Sequence, residues 1–330
     1  MKIGYLGDGP WARDALDRML ADDRLDVRFI VPRYDSQDPQ LRTRAEAHGI
    51  DFLPIRDVND AASLRQLAAY EPDLLVSMSF DQIMRRGILE LCPRGAINCH
   101  AGALPFYRGR NVLNWALIND ATEFGVTVHY MDKGIDTGDI ILQRQSPITD
   151  DDTYATLLDR AIDLCATTLH EAVVLLVEDR AEPIDQTTIH PVGFYTGRRV
   201  EGDEWIDWSW PSRQVFNFVR AITTPGPCAR TLVGDAEIAV VRVSMIPNAP
   251  SYIATPGEVV GRDGKVVHVK TGDTTIALEE LRAAPDVRLR IGTRLVSPMA
   301  MRLRRMEARI DAMERELRER TSRGLRRDDQ

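Results

Sequence analysis

Four cysteines in 330 residues, none paired as CxxC, leave little scope for redox or zinc chemistry. Cys92, Cys99, Cys165 and Cys228 are widely spaced, so neither a disulfide framework nor a thiolate metal site is expected. No apolar run approaches the ~20 residues that a membrane-spanning helix needs. The opening MKIGYLGDGPWARDAL has no apolar signal core and no small-residue cleavage site. A cytoplasmic protein with no membrane partner is therefore expected. Basic residues are also in deficit: 42 Lys and Arg against 50 Asp and Glu give a net charge of −8. A large nucleic-acid footprint needs a basic surface, so no nucleic-acid partner is expected. A few arginines in one pocket would still suffice for a small phosphorylated ligand.

What is present is ordinary for a globular chain: 44% hydrophobic and 28% charged residues, at a length that suggests about two domains. The first half alternates short apolar runs (KIGYLG, VRFIVP, DLLVSMS, GAINCH) with amphipathic stretches (PWARDALDRMLAD, NDAASLRQLAAYEP). That alternation implies an α/β fold, a Rossmann-like doubly wound and mostly parallel sheet with helices on both faces. It ends in the long apolar-striped helix DTYATLLDRAIDLCATTLHEAVVLLVE. From about residue 182 no long periodic run exists until the helix PSRQVFNFVRAI, and then short alternating segments separated by RDGK and TGDT indicate a small β-rich, barrel-like C-terminal domain. The expected boundaries are 1–185 for the α/β domain, 186–204 for a linker and 205–296 for the β-rich domain. A coiled-coil helix is expected over 297–322 and a disordered tail over 323–330. Trp205, Trp208 and Trp210 read as packing residues between domains rather than ligand contacts.

The terminal helix rests on Met299, Leu303, Met306, Ile310, Met313 and Leu317, an a/d heptad seam with charges nearly everywhere else. An isolated helix of this kind is marginal in water, so a homodimer paired through it is expected.

Three short stretches could carry chemistry. GDGPW (Gly7 to Trp11) follows the first strand, where doubly wound folds bind phosphates on backbone N–H groups. It is not GxGxxG, and Pro10 removes a donor, so a turn near an anionic part of a substrate, with Gly9 and Trp11, is expected rather than a dinucleotide site. In NCHAGALPFYRGRN, Asn98 and His100 share one side of their strand, because side chains alternate, and they lie at its carboxyl end. Cys99 between them points to the other face and reads as a core thiol. In MDKGIDTGD, Asp132, Asp136 and Asp139 could each be a cap, a turn former or a catalytic carboxylate. A metal held by His100, His129 and these aspartates competes, but no recognised ligand spacing is present and no metal is expected.

The continuous block NCHAGALPFYRGRN…GVTVHYMDKGIDTGDIILQ resembles the formyltransferases that use N10-formyltetrahydrofolate. Their signature is N-x-H, then L-P-x-x-[RK]-G, then D-x-G, and it is matched without a break. The wider resemblance runs from residue 1 to about 290, where WIDWSWPSRQVFNFVRAITTPGPCAR is similar to the opening of that family's C-terminal domain; the heptad tail lies outside it. The resemblance implies a catalytic trio of Asn98, His100 and Asp136. Asn98 would stabilise the oxyanion that develops when an amine attacks the formyl carbon. His100 would take the amine proton, and Asp136 would orient or charge-stabilise the imidazole. It also implies a pterin pocket contacted largely by backbone, at Phe80, Asp81, Gln82, Ile83 and Met84 and at Asp132, Gly134 and Ile135. N10-formyltetrahydrofolate is then the co-substrate, with no metal or nicotinamide.

The LPFYRGRNVLNWALIN block looks most like the family members that formylate amino sugars on nucleotide carriers. The implied acceptor is a nucleotide-linked amino-deoxy sugar, first a dTDP- or GDP-linked 4-amino-4,6-dideoxyhexose, for glycan (O-antigen, lipopolysaccharide) or antibiotic biosynthesis. Tyr107, Arg108, Gly109, Arg110 and Asn111 would line its entrance. In FYTGRR, Tyr195 and Arg198 offer an aromatic for the base and a cation for phosphate, unless the segment is a surface linker. The alternative acceptor is methionyl-tRNA, disfavoured by the net charge and by the lack of a basic loop in VPRYDSQDPQLRTRAEAHGID. A non-catalytic folate- or sugar-nucleotide-binding relative is a further alternative.

Overall fold

Apolar runs become strands and periodic stretches become helices in the computed structural model, which describes residues 1–325. The chain divides into two units, Met1–Arg199 and Val200–Gln330. The first holds β1 (Lys2–Gly7), α1 (Gly9–Leu20), β2 (Asp26–Val31), α2 (Pro39–Ala47), β3 (Asp51–Phe52), α3 (Ala61–Ala68), β4 (Leu74–Met78), α4 (Arg86–Leu89) and β5 (Ala96–His100). It continues with β6 (Arg108–Gly109), α5 (Val112–Ile118), β7 (Glu123–Tyr130), β8 (Ile140–Pro147), α6 (Tyr154–Val177), α7 (Gln186–Ile189) and β9 (Tyr195–Thr196).

The main sheet has the order β3-β2-β1-β4-β5-β7-β8. Its first five strands are parallel, and β7 and β8 run antiparallel. Every residue of β4 is buried, as an apolar strand covered on both faces must be. Helix α6 opens with a reciprocal capping box between Thr153 and Thr156 and buries Leu157, Ala161, Cys165, Leu169, Ala172 and Val173 at helical spacing. Cys99 Sγ lies 3.6 Å from the carbonyl of Cys165 in α6, so the face of β5 opposite Asn98 and His100 is the one this helix covers.

The segment expected as a linker is partly built into the first unit. Gln186 at the start of α7 is buried, and β9 pairs in parallel with β6. The contact boundary falls between Arg199 and Val200 rather than across 186–204. The apolar periodicity could not reveal this, because the segment is held by one buried amide, a two-residue strand and ring contacts at His190 and Phe194 rather than by a hydrophobic stripe.

The second unit holds α8 (Ser212–Ile222), β10 (Ala229–Val233), β11 (Ala236–Met245), β12 (Val259–Asp263), β13 (Val266–Lys270), β14 (Thr275–Ala283) and α9 (Pro298–Leu325). Its five-stranded sheet has the order β10-β11-β14-β13-β12, antiparallel throughout. Bridges Leu232↔Val296 and Glu258↔Arg294 attach one late segment beside both edge strands, which gives the sheet its barrel-like closure. Trp208 donates its indole N–H to Thr231 Oγ1 at 3.0 Å, and Trp210 meets Phe218 edge-on, so both tryptophans pack inside this unit. Helix α9 continues to Leu325, past the expected limit at 322; residues 326–330 of the expected tail lie outside the described residues.

Candidate active site

Strand alternation places Asn98 and His100 on one face of β5, and the register with β7 sets His129 opposite Asn98 and Thr127 opposite His100. Asn98 Nδ2 lies 3.4 Å from His129 Nε2. His129 Nδ1 faces the carbonyl of its neighbour Tyr130 at 2.7 Å, and a carbonyl only accepts, so Nδ1 carries a proton. Nε2 is then the ring's acceptor for the Asn98 amide N–H, and it lies 3.6 Å from Asp136 Oδ1.

The same reasoning orients His100. Its Nε2 lies 2.8 Å from the carbonyl of Tyr107 and must donate there, which leaves Nδ1 as the basic atom of the neutral ring. That Nδ1 faces Asp136 Oδ2 at 3.6 Å. Burial holds the His100 pKa below its ordinary value of 6.5, against the opposing pull of Asp136 and of the Tyr107 carbonyl. Burial by itself would raise Asp136. The neighbouring His129 ring, the His100 charge and the Gly109 N–H outweigh it and bring the carboxyl down to about 2. The Gly109 N–H donates to Asp136 Oδ2 at 2.8 Å.

Asp136 does not arrive from a carboxyl end in the parallel part of the sheet. Because β7 is antiparallel to β5, its end meets the start of β5: Met131 N–H donates to Ala96 O at 2.8 Å. The loop 131–139 must therefore run back along β5 to bring Asp136 beside His100. Tyr130 N–H donates to Asp139 O at 2.9 Å and closes the base of this loop. Asp132 accepts from Gly134 N–H and from the Thr137 hydroxyl, at 2.9 and 2.6 Å, and staples its first turn. Of the three aspartates, then, Asp132 is a turn former, Asp139 closes the loop through its main chain, and Asp136 joins the two histidines.

The loop after β5 is shaped by the same cluster. A Cβ at Gly102 would fall 2.6 Å from both His100 Nε2 and the Tyr107 carbonyl, so only glycine fits between them. Thr127, fully buried, donates to Gly102 O at 2.7 Å and accepts from Leu104 N–H at 3.2 Å. Gln143 Nε2 donates to Thr127 Oγ1 and to Leu104 O, at 2.8 and 2.9 Å.

Gln186 was not anticipated. Its Oε1 accepts from Arg108 Nη2 at 2.7 Å, and its Nε2 donates to the carbonyls of Asp136 and Gly138 at 3.0 and 2.8 Å. One buried amide thus ties the YRGR loop to the aspartate loop. His129 also went unassigned except as a metal-ligand candidate. The β7 alternation that aims it at the trio was legible, but its partners were not.

The remaining expected contacts divide into those drawn into the cluster and those held elsewhere. Arg108 is engaged by Gln186 and lies over the Tyr195 ring, 5.6 Å from its centre. The Asn111 side chain accepts from Arg199 N–H at 2.9 Å. Tyr107 meets Phe194 edge-on at 4.8 Å, which draws FYTGRR against the loop. Arg110 and Arg198 are exposed on the paired β6 and β9 segments and their flanks. Gly9 and Trp11 belong to the start of α1; among the described residues no hydrogen bond joins them to the trio. Asp8 beside them accepts from Asp38 N–H at 2.9 Å instead. Gln82 is pinned to the β3–α3 connection, accepting from Val58 N–H at 3.0 Å and donating to Ile55 O at 2.9 Å. Met84 is in the core, and Phe80 and Met131 pack against it, so Gln82 and Met84 can offer a ligand only main chain. Ile83 and Ile135, by contrast, are 66% and 53% exposed on the two loops. Main-chain donors and acceptors beside exposed aliphatic side chains suit a flat heteroaromatic ring. Among the described residues no group of three or more His, Cys, Asp or Glu could hold a metal, and no helix is long and apolar enough to cross a membrane.

An amide, an imidazole and an ionised carboxylate meet at the carboxyl end of β5 in a Rossmann-like sheet, and a small antiparallel domain follows; such a site suits acyl transfer to an amine. The family described as formyl transferase matches residues 1–173, and its C-terminal domain matches residues 200–291. This chain belongs to the formyltransferase family, whose members take the formyl group from N10-formyltetrahydrofolate. The methionyl-tRNA formyltransferase of Citrifermentans bemidjiense is 36% identical over 256 residues, 77% of this chain and 78% of that one. The methionyl-tRNA formyltransferase of Geotalea uraniireducens is 32% identical over 305 residues, 88% of this chain and 93% of that one. Among solved structures, the N-formyltransferase from Helicobacter canadensis with folinic acid and dTDP-3-aminofucose superposes with a TM-score of 0.64. It has 19% identity and covers 85% of this chain and 100% of that one.

These findings overturn the expected acceptor. The curated relatives that match most of the chain, at 28–36% identity, are methionyl-tRNA formyltransferases, whereas the likeness to the Helicobacter enzyme is one of fold. The reading as a dTDP- or GDP-linked amino-sugar enzyme falls, and with it the exclusion of a nucleic-acid partner. Within the protein, Arg108 and Asn111 already have partners, in the Gln186 side chain and the Arg199 N–H.

Proposed function

We propose that the protein transfers a formyl group from N10-formyltetrahydrofolate to the amino group of methionyl-tRNA. The observation that carries the acceptor is the run of methionyl-tRNA formyltransferases at 28–36% identity over most of the chain, through both matched domains. The folate supplies an activated one-carbon unit at the formyl oxidation level, and its pterin would be held by main chain of residues 80–84 and 132–136.

The chain's own residues then divide the work. Asn98, with one amide N–H directed to His129, has the second available for a developing oxyanion. His100, neutral near pH 7 and proton-bearing at Nε2, accepts the amine proton at Nδ1. The imidazolium so formed lies against the Asp136 carboxylate, which stays ionised throughout the working range. As the bond from the formyl carbon to N10 breaks, the ring returns the proton to N10, so that tetrahydrofolate leaves neutral at that nitrogen. Arg110 and Arg198, both exposed beside the β6–β9 pairing, are the cations that would meet acceptor phosphates in this reading.

The test is a turnover assay with N10-formyltetrahydrofolate and charged tRNA, reading the amino acid by mass after deacylation. Formylmethionine, absent with His100→Asn, is the expected result. A protein that releases tetrahydrofolate only with an amine of another class would sink the acceptor reading and leave the chemistry standing.

A further inference from the structure

In α9, Met299, Leu303, Met306, Ile310 and Met313 are between 52% and 64% exposed. They form a stripe along one side, since spacings of four and three return to the same face of a helix. Apolar residues in a continuous exposed line mark a surface that something covers. The charges beside the stripe say what. With Leu303 and Ile310 at a and Met299, Met306 and Met313 at d, the charged g positions beside the stripe are Arg302 and Arg309, and the e positions are Ala300, Glu307 and Glu314.

In a parallel, in-register pair of such helices each g residue faces the e residue of the next heptad on the partner. Arg302 then meets Glu307, and Arg309 meets Glu314, on both sides of the seam. In an antiparallel pair e faces e, and the row Glu307 and Glu314 would confront itself. From Arg302 onward the charges at Arg302, Glu307, Arg309 and Glu314 also confine the apolar seam to a and d, the width that two strands bury; more strands would bury these flanks as well.

We infer that α9 is the docking surface for a second copy of this chain, forming a parallel, in-register two-stranded coiled coil whose register is set by the Arg302–Glu307 and Arg309–Glu314 pairs. This does not depend on the identity of the acceptor.

Single cysteines at d test the geometry, and the native thiols do not interfere, because Cys92, Cys99, Cys165 and Cys228 are all buried. Met306→Cys and Met313→Cys, each by itself, are expected to cross-link to their own copies on mild oxidation, since d faces d only in a parallel, in-register pair. Light scattering of the full chain is expected to give twice the chain mass. Arg309→Glu or Glu314→Arg would each raise the dimer dissociation constant about tenfold, and the double exchange would restore it. All four substitutions lie on an exposed helix face, and circular dichroism checks that helicity is kept. A monomeric or trimeric mass, cross-linking at one position but not the other, or no rescue by the double exchange would overturn the inference. So would an Arg309→Glu protein whose mass is unchanged but whose affinity for RNA is lost, which would make α9 a nucleic-acid arm.

Discussion

His100 Nδ1 faces Asp136 Oδ2 at 3.6 Å, while the other end of the same imidazole donates to the Tyr107 carbonyl at 2.8 Å. The carbonyl fixes which nitrogen is basic, and the carboxylate waits beside that nitrogen for the charge it gains. A general base is useful when neutral before proton transfer and stabilised after it, and this pair meets both conditions.

Replacing His100 removes the base without emptying the site. His100→Asn is expected to lower kcat by about 10²- to 10⁴-fold, the usual contribution of a positioned base, with KM for the formyl donor changed only a few-fold. Steady-state tetrahydrofolate release measures both. A loss confined to KM would mean that His100 binds rather than reacts.

The pH profile carries a sign. Because burial places the His100 pKa below 6.5, kcat/KM should be level through neutrality and fall on an acid limb below that value. Asp136 favours the protonated ring, so Asp136→Asn should move the limb to lower pH as well as reduce the plateau. A limb that moves to higher pH, or stays in place, would remove Asp136 from its electrostatic role.

Gly102→Ala tests the shape of the turn. The added Cβ would meet His100 Nε2 and the Tyr107 carbonyl at 2.6 Å each, so the ring must leave its hydrogen bond. Activity should fall at least tenfold, since a displacement of ~1 Å at a reacting group is costly. An unchanged thermal midpoint would locate the damage in the site. Wild-type activity would show that the ring is not held where its bond to Tyr107 puts it.

Gln186→Leu removes the amide between two loops and leaves the buried carbonyls of Asp136 and Gly138 without their shared donor. About 1–3 kcal/mol of stability should go with it, read as a lower urea midpoint. Because Asp136 would be less well held, kcat should fall more than KM rises. Gln186→Glu keeps the acceptor for Arg108 but not the donor for the carbonyls, so it should rescue neither quantity fully.

Much of the site could be read along the chain. Strand alternation put Asn98 and His100 together and sent Cys99 to the helix-covered face. The apolar runs located the parallel sheet, and turn chemistry marked the small β domain. The acceptor could not be read in the same way. The text around YRGRN adjoins the reacting atoms, where the chemistry is shared across acceptors; Arg108 and Asn111 there bond within the protein, while Arg110 is exposed. The attachment of 186–199 to the first unit was not legible, because a single buried glutamine and a two-residue strand leave no periodic trace.

By itself, the sequence determined what lies within a few residues: which side chains share a strand face, where helices begin, and which helix carries a heptad-spaced apolar seam. These follow from backbone geometry that repeats every two or 3.6 residues. Only the tertiary structure decided that antiparallel β7 sets His129 against Asn98, that the loop 131–139 runs back along β5 to deliver Asp136, and that Gln186 joins two loops. Those contacts depend on strand register and on the need of buried polar groups for partners. Both are settled when the chain closes on itself, and neither is encoded in local spacing.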